Sequence, residues 1–561
     1  MRKKVFKKAA VLFSAVLLFG LAGCNKPVDT DGESDGKRIE VKAVVAGYGV
    51  DWLTAAAAKF NEVYRDEGYE VVITLTDAEI NATNEIKTPN RCTTDIFFEY
   101  NNVNALINQS RAILKKDGVA LLEDLSDVWN SPAVGADKKE HGEKIIDRID
   151  NENLENAVKY TGKFKGFDGM YGMPWQGGSQ GIYVNPTTLT SRGYSLDDLL
   201  TTDDFLAVVK ATAPSDPLDK DAFFPVSWSG AKAPGYWDYL MQVLFAQYEG
   251  AQSYSNFWNF IPDEGTLETN GYTVYEKKGI YESLKVVAEL LNRDYATPGT
   301  TSMDHVTAEA RVAQGKSMFI VAGDYLYKEL EKDYKTEMEN IIAVKTPVIS
   351  ALGVKLDLCG AGAHEKDAPC AACNEKLRAV VKAVDEEKKT DEEIAAAQSV
   401  TAAKVKEIRA ARGYYLRSGG STIAFMPAYS DAKVGAKLFL RFLYSDDGMK
   451  IYRSRTYVDL PAKYVAEPEK DSVAYVQAMY EKMFSPNSFG IDNTSYTCKL
   501  REKVPMYTDD SERSIVTVYQ GLSYSHSNGR PVYTPSSIYR DCIESVKTRW
   551  TEFLSMAGYG D

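Results

Sequence analysis

The sequence contains few of the residues from which catalytic and nucleic-acid-binding sites are most often built. Only four of its 561 residues are histidine, and the net charge is −13. An acidic chain is a poor candidate for nucleic-acid binding, because the phosphate backbone attracts basic surfaces. Neither a phosphate-binding loop nor a His-Glu-x-x-His helix occurs. Carboxylates are plentiful, but no pattern marks out a catalytic pair. We therefore predict no enzyme activity, no cofactor and no nucleic-acid partner.

Long hydrophobic runs are scarce, and no stretch beyond the N-terminal region is long and apolar enough to span a bilayer. Residues 1–23 combine a basic start, an apolar run over 9–20 and the letters Leu-Ala-Gly that precede Cys24. This pattern resembles the lipobox of bacterial lipoproteins, which implies cleavage before Cys24 and acylation of its thiol. An ordinary signal peptide with a chance cysteine is the alternative. The polar, acidic residues 24–38 are typical of a flexible tether.

Strand and helix patterns alternate at the start of the globular region. Residues 39–45 alternate and then become apolar, as in a strand that is progressively buried. Between Leu53 and Tyr64, apolar residues recur at the spacing of one helix face. Residues 70–76 and 95–98 are two further apolar runs. Strand, helix and strand at this spacing predict an α/β fold with a parallel sheet covered by helices.

Residues 169–189 are the most distinctive internal stretch. We expect a short strand that Pro174 ends, then a bend at three glycines, then a second strand from Ile182. Such a stretch suits a chain that passes between two lobes that move against each other. Ligands of parallel sheets bind beyond the carboxyl ends of the strands. Six residues follow strand ends in this way: Tyr48, Glu99, Tyr100, Asn102, Trp175 and Gln176.

The crossing stretch resembles that of the bacterial extracellular solute-binding proteins of family 1, the maltose-binding-protein-like receptors of ABC importers. In maltose-binding proteins, a tryptophan and an aspartate three residues later hold the sugar, and Glu99 and Asn102 occupy those positions here. Residues 315–325 resemble the family's late return strand, after which a binding tryptophan commonly follows. Tyr325 stands near that place with Asp324 beside it. The loss of the ring at Glu99 indicates a ligand other than maltodextrin.

The resemblance implies a two-lobed, type II periplasmic-binding-protein-like fold, in which each lobe is a mainly parallel sheet flanked by helices. We assign residues 39–178 and 301–350 to the N-terminal lobe and residues 179–300 and 414–561 to the C-terminal lobe. Residues 351–413 interrupt the family pattern, and their apolar stripe and capping box predict a helical hairpin on the surface. In the C-terminal lobe, either cleft binding or core packing accounts for three aromatic residues: Trp228, Tyr236 and Trp237.

Four potential metal ligands gather at the start of this insertion: Cys359, His364, Cys370 and Cys373. Three thiolates and one imidazole suffice for tetrahedral zinc, but the spacing matches no standard zinc motif. Disulfides or free thiols are the first expectation in an exported protein, so we predict no metal site here. A structural metal site is the alternative, and a redox role is a third reading. Cys498 and Cys542 could pair across the C-terminal tail.

We therefore predict a lipid-anchored solute-binding protein of an ABC importer, on the extracellular or periplasmic side of the cell membrane. It would bind a carbohydrate, most simply an oligosaccharide, between two closing lobes and deliver it to the permease as a monomer. The 35 tyrosines, against 21 phenylalanines, suit a wet aromatic cleft. The alternatives are a surface lipoprotein with carbohydrate-active enzyme activity and a receptor for another polar solute.

Overall fold

The computed structural model describes residues 36–44, 47–76, 82–99, 103–116, 118–149, 158–159, 167–231, 234–365, 368–386, 388–458, 467–470, 472–491, 499–505, 515–523 and 531–559. The predicted signal peptide with Cys24, almost all of the tether, Tyr100, Asn102 and Cys498 lie outside these residues. None of the described helices is long and apolar enough to cross a membrane.

A mixed sheet of nine strands organises the described chain, in the order β2-β1-β3-β10-β6-β8-β7, with β11 beside β10 and β9 beside β6. Strands β4 and β5 form a separate pair. The strands are β1 (Arg38–Val44), β2 (Glu70–Thr76), β3 (Ile96–Glu99), β4 (Pro132–Val134), β5 (Glu140–Lys144), β6 (Met173–Val184), β7 (Val226–Ser227), β8 (Phe319–Ala322), β9 (Ile342–Ala343), β10 (Tyr414–Phe425) and β11 (Phe489–Ile491).

The sheet is parallel at its two edges and antiparallel at its centre. Strand β1 pairs in parallel with β2 and β3, as the sequence predicts, and β7 pairs in parallel with β8. The centre differs, since β10 is antiparallel to β3 and β6, and β6 is antiparallel to β8. Strands β6 and β10 have 12 residues each and cross the sheet in opposite directions. Pro174 does not end the first of them but lies inside β6, opposite Ile423.

Two hydrophobic cores lie along this sheet and define two lobes. The first core contains side chains of β1, β3 and the Asp51–Tyr64 helix. That helix buries Trp52, Leu53 and Phe60 at the spacing expected of an amphipathic face. The second core contains the Trp237–Glu249 and Lys278–Leu290 helices. Side chains of β6, β8 and β10 contribute to both cores, and β6 and β10 are the longest of these strands.

The helices other than these three are mostly short. They are Ala82–Ile86, Val103–Asn108, Ser110–Leu114, Ser126–Trp129, Ile145–Arg148, Pro186–Ser191, Thr202–Thr212, Ala251–Asn259, Leu267–Asn270, His305–Ala313, Leu326–Met338, Ser350–Lys355, Ala371–Asp385, Asp391–Gln398, Ala402–Gly413, Lys433–Leu443, Asp446–Thr456, Ala474–Phe484, Ile515–Leu522, Pro535–Thr548 and Trp550–Met556.

Residues 414–561 contribute side chains to both lobes, whereas the sequence analysis assigned all of them to the C-terminal lobe. Phe439, Tyr452 and Tyr475 are buried in the first core. Trp550 and Phe553, near the end of the chain, are buried in the second. The reason is that β10 carries the chain back across the sheet into the first lobe, a long-range pairing that local sequence patterns do not encode.

The insertion is an integral part of the second lobe and not a hairpin on its surface. It forms three helices, Ala371–Asp385, Asp391–Gln398 and Ala402–Gly413. The apolar stripe predicted on the first of these is buried in the second core, together with Ile394 and Val405 from the other two. The stripe does form one face of a helix, as predicted. That face packs against the second lobe.

Candidate functional site

Asp324 lies buried where β6 passes from one lobe to the other. Its Oδ2 accepts a hydrogen bond from the backbone N–H of Ser179 at 3.1 Å. Its Oδ1 accepts another from the hydroxyl of Tyr48, which follows β1. Gly178 makes this approach possible, because a Cβ at that position would lie 1.6 Å from Oδ2. The structure thus brings Tyr48 and Asp324, both predicted site residues, into direct contact with the crossing strand.

A buried lysine lies close to the same point. Lys482, on the Ala474–Phe484 helix, donates a hydrogen bond to the backbone carbonyl of Gln180 at 3.3 Å. Burial lowers the pKa of Lys482 to about 7, although the charge of Asp324 acts in the opposite direction. Burial likewise raises the pKa of Asp324 to about 7, against the hydrogen bonds from Tyr48 and Ser179. Both groups are therefore held toward their neutral forms.

This pair predicts a minimum in stability near neutral pH. As pH rises from about 4 to 7, Asp324 loses its proton in the unfolded chain before it does so in the folded one, so stability falls. As pH rises from 7 to about 10, Lys482 stays protonated longer in the unfolded chain, so stability rises. We expect Lys482→Met to remove more than ~1 kcal/mol of the rise between pH 7 and 9 in urea unfolding. The exposed Lys470→Met should leave that rise intact, and equal slopes in the two variants would contradict the assignment.

Four tyrosines form a row that runs from the first lobe to the second: Tyr48, Tyr325, Tyr236 and Tyr239. The rings of Tyr48 and Tyr325 are 6.0 Å apart, as are those of Tyr325 and Tyr236, and Tyr236 stacks on Tyr239 at 5.2 Å. Tyr48 is buried in the first core, whereas the other three are half-buried. Burial raises the pKa of each of these last three phenols, so they act as neutral donors and acceptors. We call this set the tyrosine row.

A cavity adjoins the tyrosine row on the side of the second lobe. It has room for about one water molecule. A sugar ring would enter only if its walls moved apart. Its lining includes Trp228, Tyr236, Trp237, His305 and Glu309. We call it the acidic cavity.

Glu309 is the most unusual group in the acidic cavity. Its side chain is 0% exposed, and no N–H, alcohol or phenol of the described residues donates to its carboxyl, whose hydrogen-bond neighbour is the carboxyl of Glu329. Burial first, and then the neighbouring Glu329, raise the pKa of Glu309 well above its ordinary value. Burial also raises the pKa of Glu329, against the effect of His305, whose Nε2 is 3.8 Å from the Glu329 carboxylate. Both shifts favour the protonated carboxyls, which can share a proton.

Two other predicted residues, Trp175 and Glu99, lie apart from this cavity. Trp175 is 0% exposed and stacks on Trp52 with ring centroids 4.9 Å apart, inside the first core. Its ring faces are thus occupied by protein instead of lining an open cleft floor. Glu99 is buried at the end of β3, opposite Ile423 of β10. Tyr100, Asn102 and the side chain of Gln176 lie outside the described part of the chain.

Residues 177–181 match the letters Gly-x-Ser-x-Gly, which mark the nucleophile turn of many hydrolases. Here the serine lies in the middle of β6 and not at a strand-to-helix turn. Ser179 is fully buried, and its hydroxyl donates to the backbone carbonyl of Gln180 at 3.4 Å. The local geometry is thus that of a sheet strand, and no nucleophile is presented.

Sequence reasoning missed five residues of the site: Tyr239, His305, Glu309, Glu329 and Lys482. Only Glu309 has a local sequence feature that indicates a site, because it lies between two buried alanines of the His305–Ala313 helix. A charged residue on a buried helix face is costly unless it has a hydrogen-bond partner or binds a ligand. The others carry no signal, because their convergence depends on how helices from distant parts of the chain pack.

Comparison with known proteins identifies the fold. No family model matches the chain, and no curated protein sequence is similar to it. Among solved structures, the bacterial solute receptor AcbH, which prefers β-D-galactopyranose, aligns with a TM-score of 0.52 at 12% identity over 92% of this chain and 99% of that one. A chitin oligosaccharide binding protein aligns at 0.51 and 12% over 90% and 97%. A probable secreted solute-binding lipoprotein from Streptomyces coelicolor aligns at 0.50 and 12% over 92% and 100%.

The chain has the fold of the bacterial extracellular solute-binding proteins. The alignments span nearly the whole length of those proteins, so the fold class predicted from the crossing stretch is confirmed. At this low identity the likeness establishes architecture and says nothing about which side chains hold a ligand.

Proposed function

We propose that this protein is a lipid-anchored, extracytoplasmic receptor that binds a carbohydrate and delivers it to an ABC permease. One observation carries the proposal: the buried carboxyl of Glu309 has no N–H, alcohol or phenol donor among the described residues and lines an aromatic cavity beside the tyrosine row. A sugar hydroxyl would supply the missing donor. The lipobox resemblance at Cys24 supports the anchor, and the solute-receptor fold supports the permease partner.

The site chemistry suits a neutral polyol. Tyrosine and tryptophan rings offer flat apolar faces for a pyranose, and a carboxyl and phenols at their edges can bond its hydroxyls. In the acidic cavity, Tyr236 and Trp228 would stack on the sugar ring. Glu309 and His305 would form hydrogen bonds to its hydroxyls. A strongly anionic solute would be repelled by the two carboxyls. The narrow cavity implies that the lobes separate to admit the ligand and close over it.

A carbohydrate-active enzyme is the second candidate, and one observation favours it. Glu309 is buried and Glu329 is half-buried, and the pKa of each carboxyl is raised, as it is for the general acid of a glycosidase. Incubation with each bound oligosaccharide, followed by chromatography, separates the candidates. A receptor returns its ligand intact, whereas the appearance of shorter products would replace the receptor proposal.

We expect Tyr236→Ala to weaken carbohydrate binding at least tenfold while it changes the unfolding temperature little. The ring is half-buried at the cavity wall, so its loss removes a stacking surface without a deep core cavity. Tenfold corresponds to about 1.4 kcal/mol. Calorimetry with a panel of mono- and oligosaccharides identifies the ligand and measures the change.

Tyr194→Ala is the matched control, because this tyrosine is also half-buried but lines an outer groove of the second lobe with Arg192 and Phe223. The carbohydrate affinity of the Tyr194→Ala variant should equal that of the parent protein. A panel in which no saccharide binds the parent protein would refute the carbohydrate proposal, and equal losses in the two variants would refute the site.

A further inference from the structure

The four potential metal ligands at the start of the insertion converge in space. One Sγ each from Cys359, Cys370 and Cys373 and a ring nitrogen of His364 all lie within 4.8 Å of one another. The Sγ of Cys373 is 3.8 Å from Nε2 of His364. No disulfide joins these three cysteines, and each is a free thiol. Two donors from a loop and two from the start of a helix thus surround one small volume.

The size of this volume matches a tetrahedral zinc ion. With Zn–S bonds of ~2.3 Å and Zn–N bonds of ~2.0 Å, neighbouring donor atoms of a tetrahedron lie roughly 3.5 to 3.8 Å apart. The cluster would need to contract by about 1 Å at its widest edge to reach these spacings. Three thiolates with one imidazole are soft donors that favour zinc over magnesium or calcium.

The local backbone is built to hold these donors. Cys370 occupies the N-cap position of the Ala371–Asp385 helix, and Cys373 lies in its first turn. The positive end of a helix favours thiolates there. The loop returns toward the helix through Gly362, whose φ of 74° is left-handed and costly for other residues.

The side chain of Asp357 holds the loop from outside the cluster. It accepts hydrogen bonds from the backbone N–H of Gly362 at 3.1 Å and from Nε2 of His364 at 2.9 Å. Lys404, on the Ala402–Gly413 helix, in turn donates to the backbone carbonyl of Asp357 at 3.0 Å. Cys373 itself is 0% exposed and belongs to the second core. An ion bound here would therefore tie the loop to the Ala371–Asp385 helix, and the Lys404 bond ties the loop to a second helix of the insertion.

We propose that Cys359, His364, Cys370 and Cys373 bind one Zn²⁺ ion in a closed, structural site. On binding, the three thiols release three protons to solvent, and His364 coordinates as a neutral imidazole. Its Nε2 exchanges the hydrogen bond to Asp357 for the metal bond. With all four positions filled by protein, the ion has no open position for chemistry and acts as a staple of the second lobe.

A disulfide is the competing arrangement for an exported protein. Three cysteines cannot all pair with one another, so any disulfide here leaves one thiol unpaired. It also gives no role to the imidazole that lies against Cys373. A zinc ion uses all four groups at once, and this economy favours the metal over the disulfide.

The test is the metal content of the full-length protein, purified without chelator and measured by plasma mass spectrometry. We expect about one zinc per chain, and replacement by Co²⁺ should give the visible absorption of a tetrahedral thiolate site. Cys370→Ser should lose most of the zinc, whereas Cys92→Ser, at a half-buried thiol that the cluster does not include, should keep it. If Cys370→Ser does not fold, His364→Ala tests the same site from a half-buried position.

Three outcomes overturn the proposal. One is a metal-free protein in which peptide mapping finds a disulfide between two of the three cluster cysteines. Another is a metal-free protein in which Cys359, Cys370 and Cys373 are all reduced and which gains no Co²⁺ spectrum. The third is zinc that stays bound in both Cys370→Ser and His364→Ala. Carbohydrate binding enters none of these measurements, so this site and the proposed receptor function stand or fall separately.

Discussion

Trp175→Ala should lower the free energy of unfolding by about 3 to 5 kcal/mol, the range for truncating a large buried aromatic residue. The indole is fully buried and is enclosed by other rings of the first core. Trp52 stacks on it at 4.9 Å, and Tyr444 meets it edge-on at 4.6 Å. Removing the ring leaves a cavity in this cluster that its neighbours cannot collapse to fill. Urea unfolding at constant pH measures the change.

Trp175→Phe is the matched control for this prediction. A phenyl ring keeps part of the stacking on Trp52 and leaves a smaller void, so the loss should be less than half as large. The sequence analysis placed Trp175 at the floor of the cleft, where its loss would weaken ligand binding. A variant with unchanged stability and at least tenfold weaker carbohydrate binding would restore that interpretation and contradict the packing seen here.

Ala395→Asp should destabilise the protein by about 3 kcal/mol or more, because it places a carboxylate where the insertion packs on the second lobe. Ala395 is only 6% exposed and belongs to the second core. Its neighbour Ala396 is exposed on the same helix. Ala396→Asp introduces the same side chain into water and should change stability by less than about 0.5 kcal/mol. The comparison therefore isolates burial from helix propensity.

This pair of variants decides between two descriptions of residues 351–413. A detachable surface hairpin predicts that both variants unfold like the parent protein and that trimming the segment leaves carbohydrate affinity within a few-fold. An integral part of the lobe predicts that Ala395→Asp lowers the unfolding midpoint on its own. The buried stripe that includes Leu377 and Val381 supports the second description. Equal midpoints for the two variants would support the first.

Local patterns in the sequence were sufficient for the elements at the start of the globular region. The strands at β1, β2 and β3 and the intervening helix were predicted close to their observed bounds, because each follows a strong period of two or 3.6 residues. The crossing stretch was also recognised as the link between lobes. Its proline was misread as a strand end, whereas Pro174 lies inside β6 opposite Ile423 of β10.

The candidate site was only half accessible to sequence reasoning. Tyr48 was found because the carboxyl ends of strands meet at one edge of a sheet, and Asp324 was found because its stretch resembles the family's return strand. Glu309 and Glu329 were not, since they lie on helices whose faces are chosen by packing. Trp175 and Trp228 look alike in sequence, each an aromatic residue after a short strand. Only the structure shows that one packs in the first core and the other lines the acidic cavity.

The sequence alone determined the α/β class, the first strands and their parallel order, the crossing between two lobes and the gathering of four metal-ligating residue types near one another. These follow from short-range spacing and from residue chemistry. The tertiary structure alone decided the antiparallel centre of the sheet, the division of residues 414–561 between both lobes and the burial of the insertion. It also decided which aromatic and acidic side chains face a common cavity. These depend on contacts between residues hundreds of positions apart, whose energies come from packing and burial and leave no periodic trace in the chain.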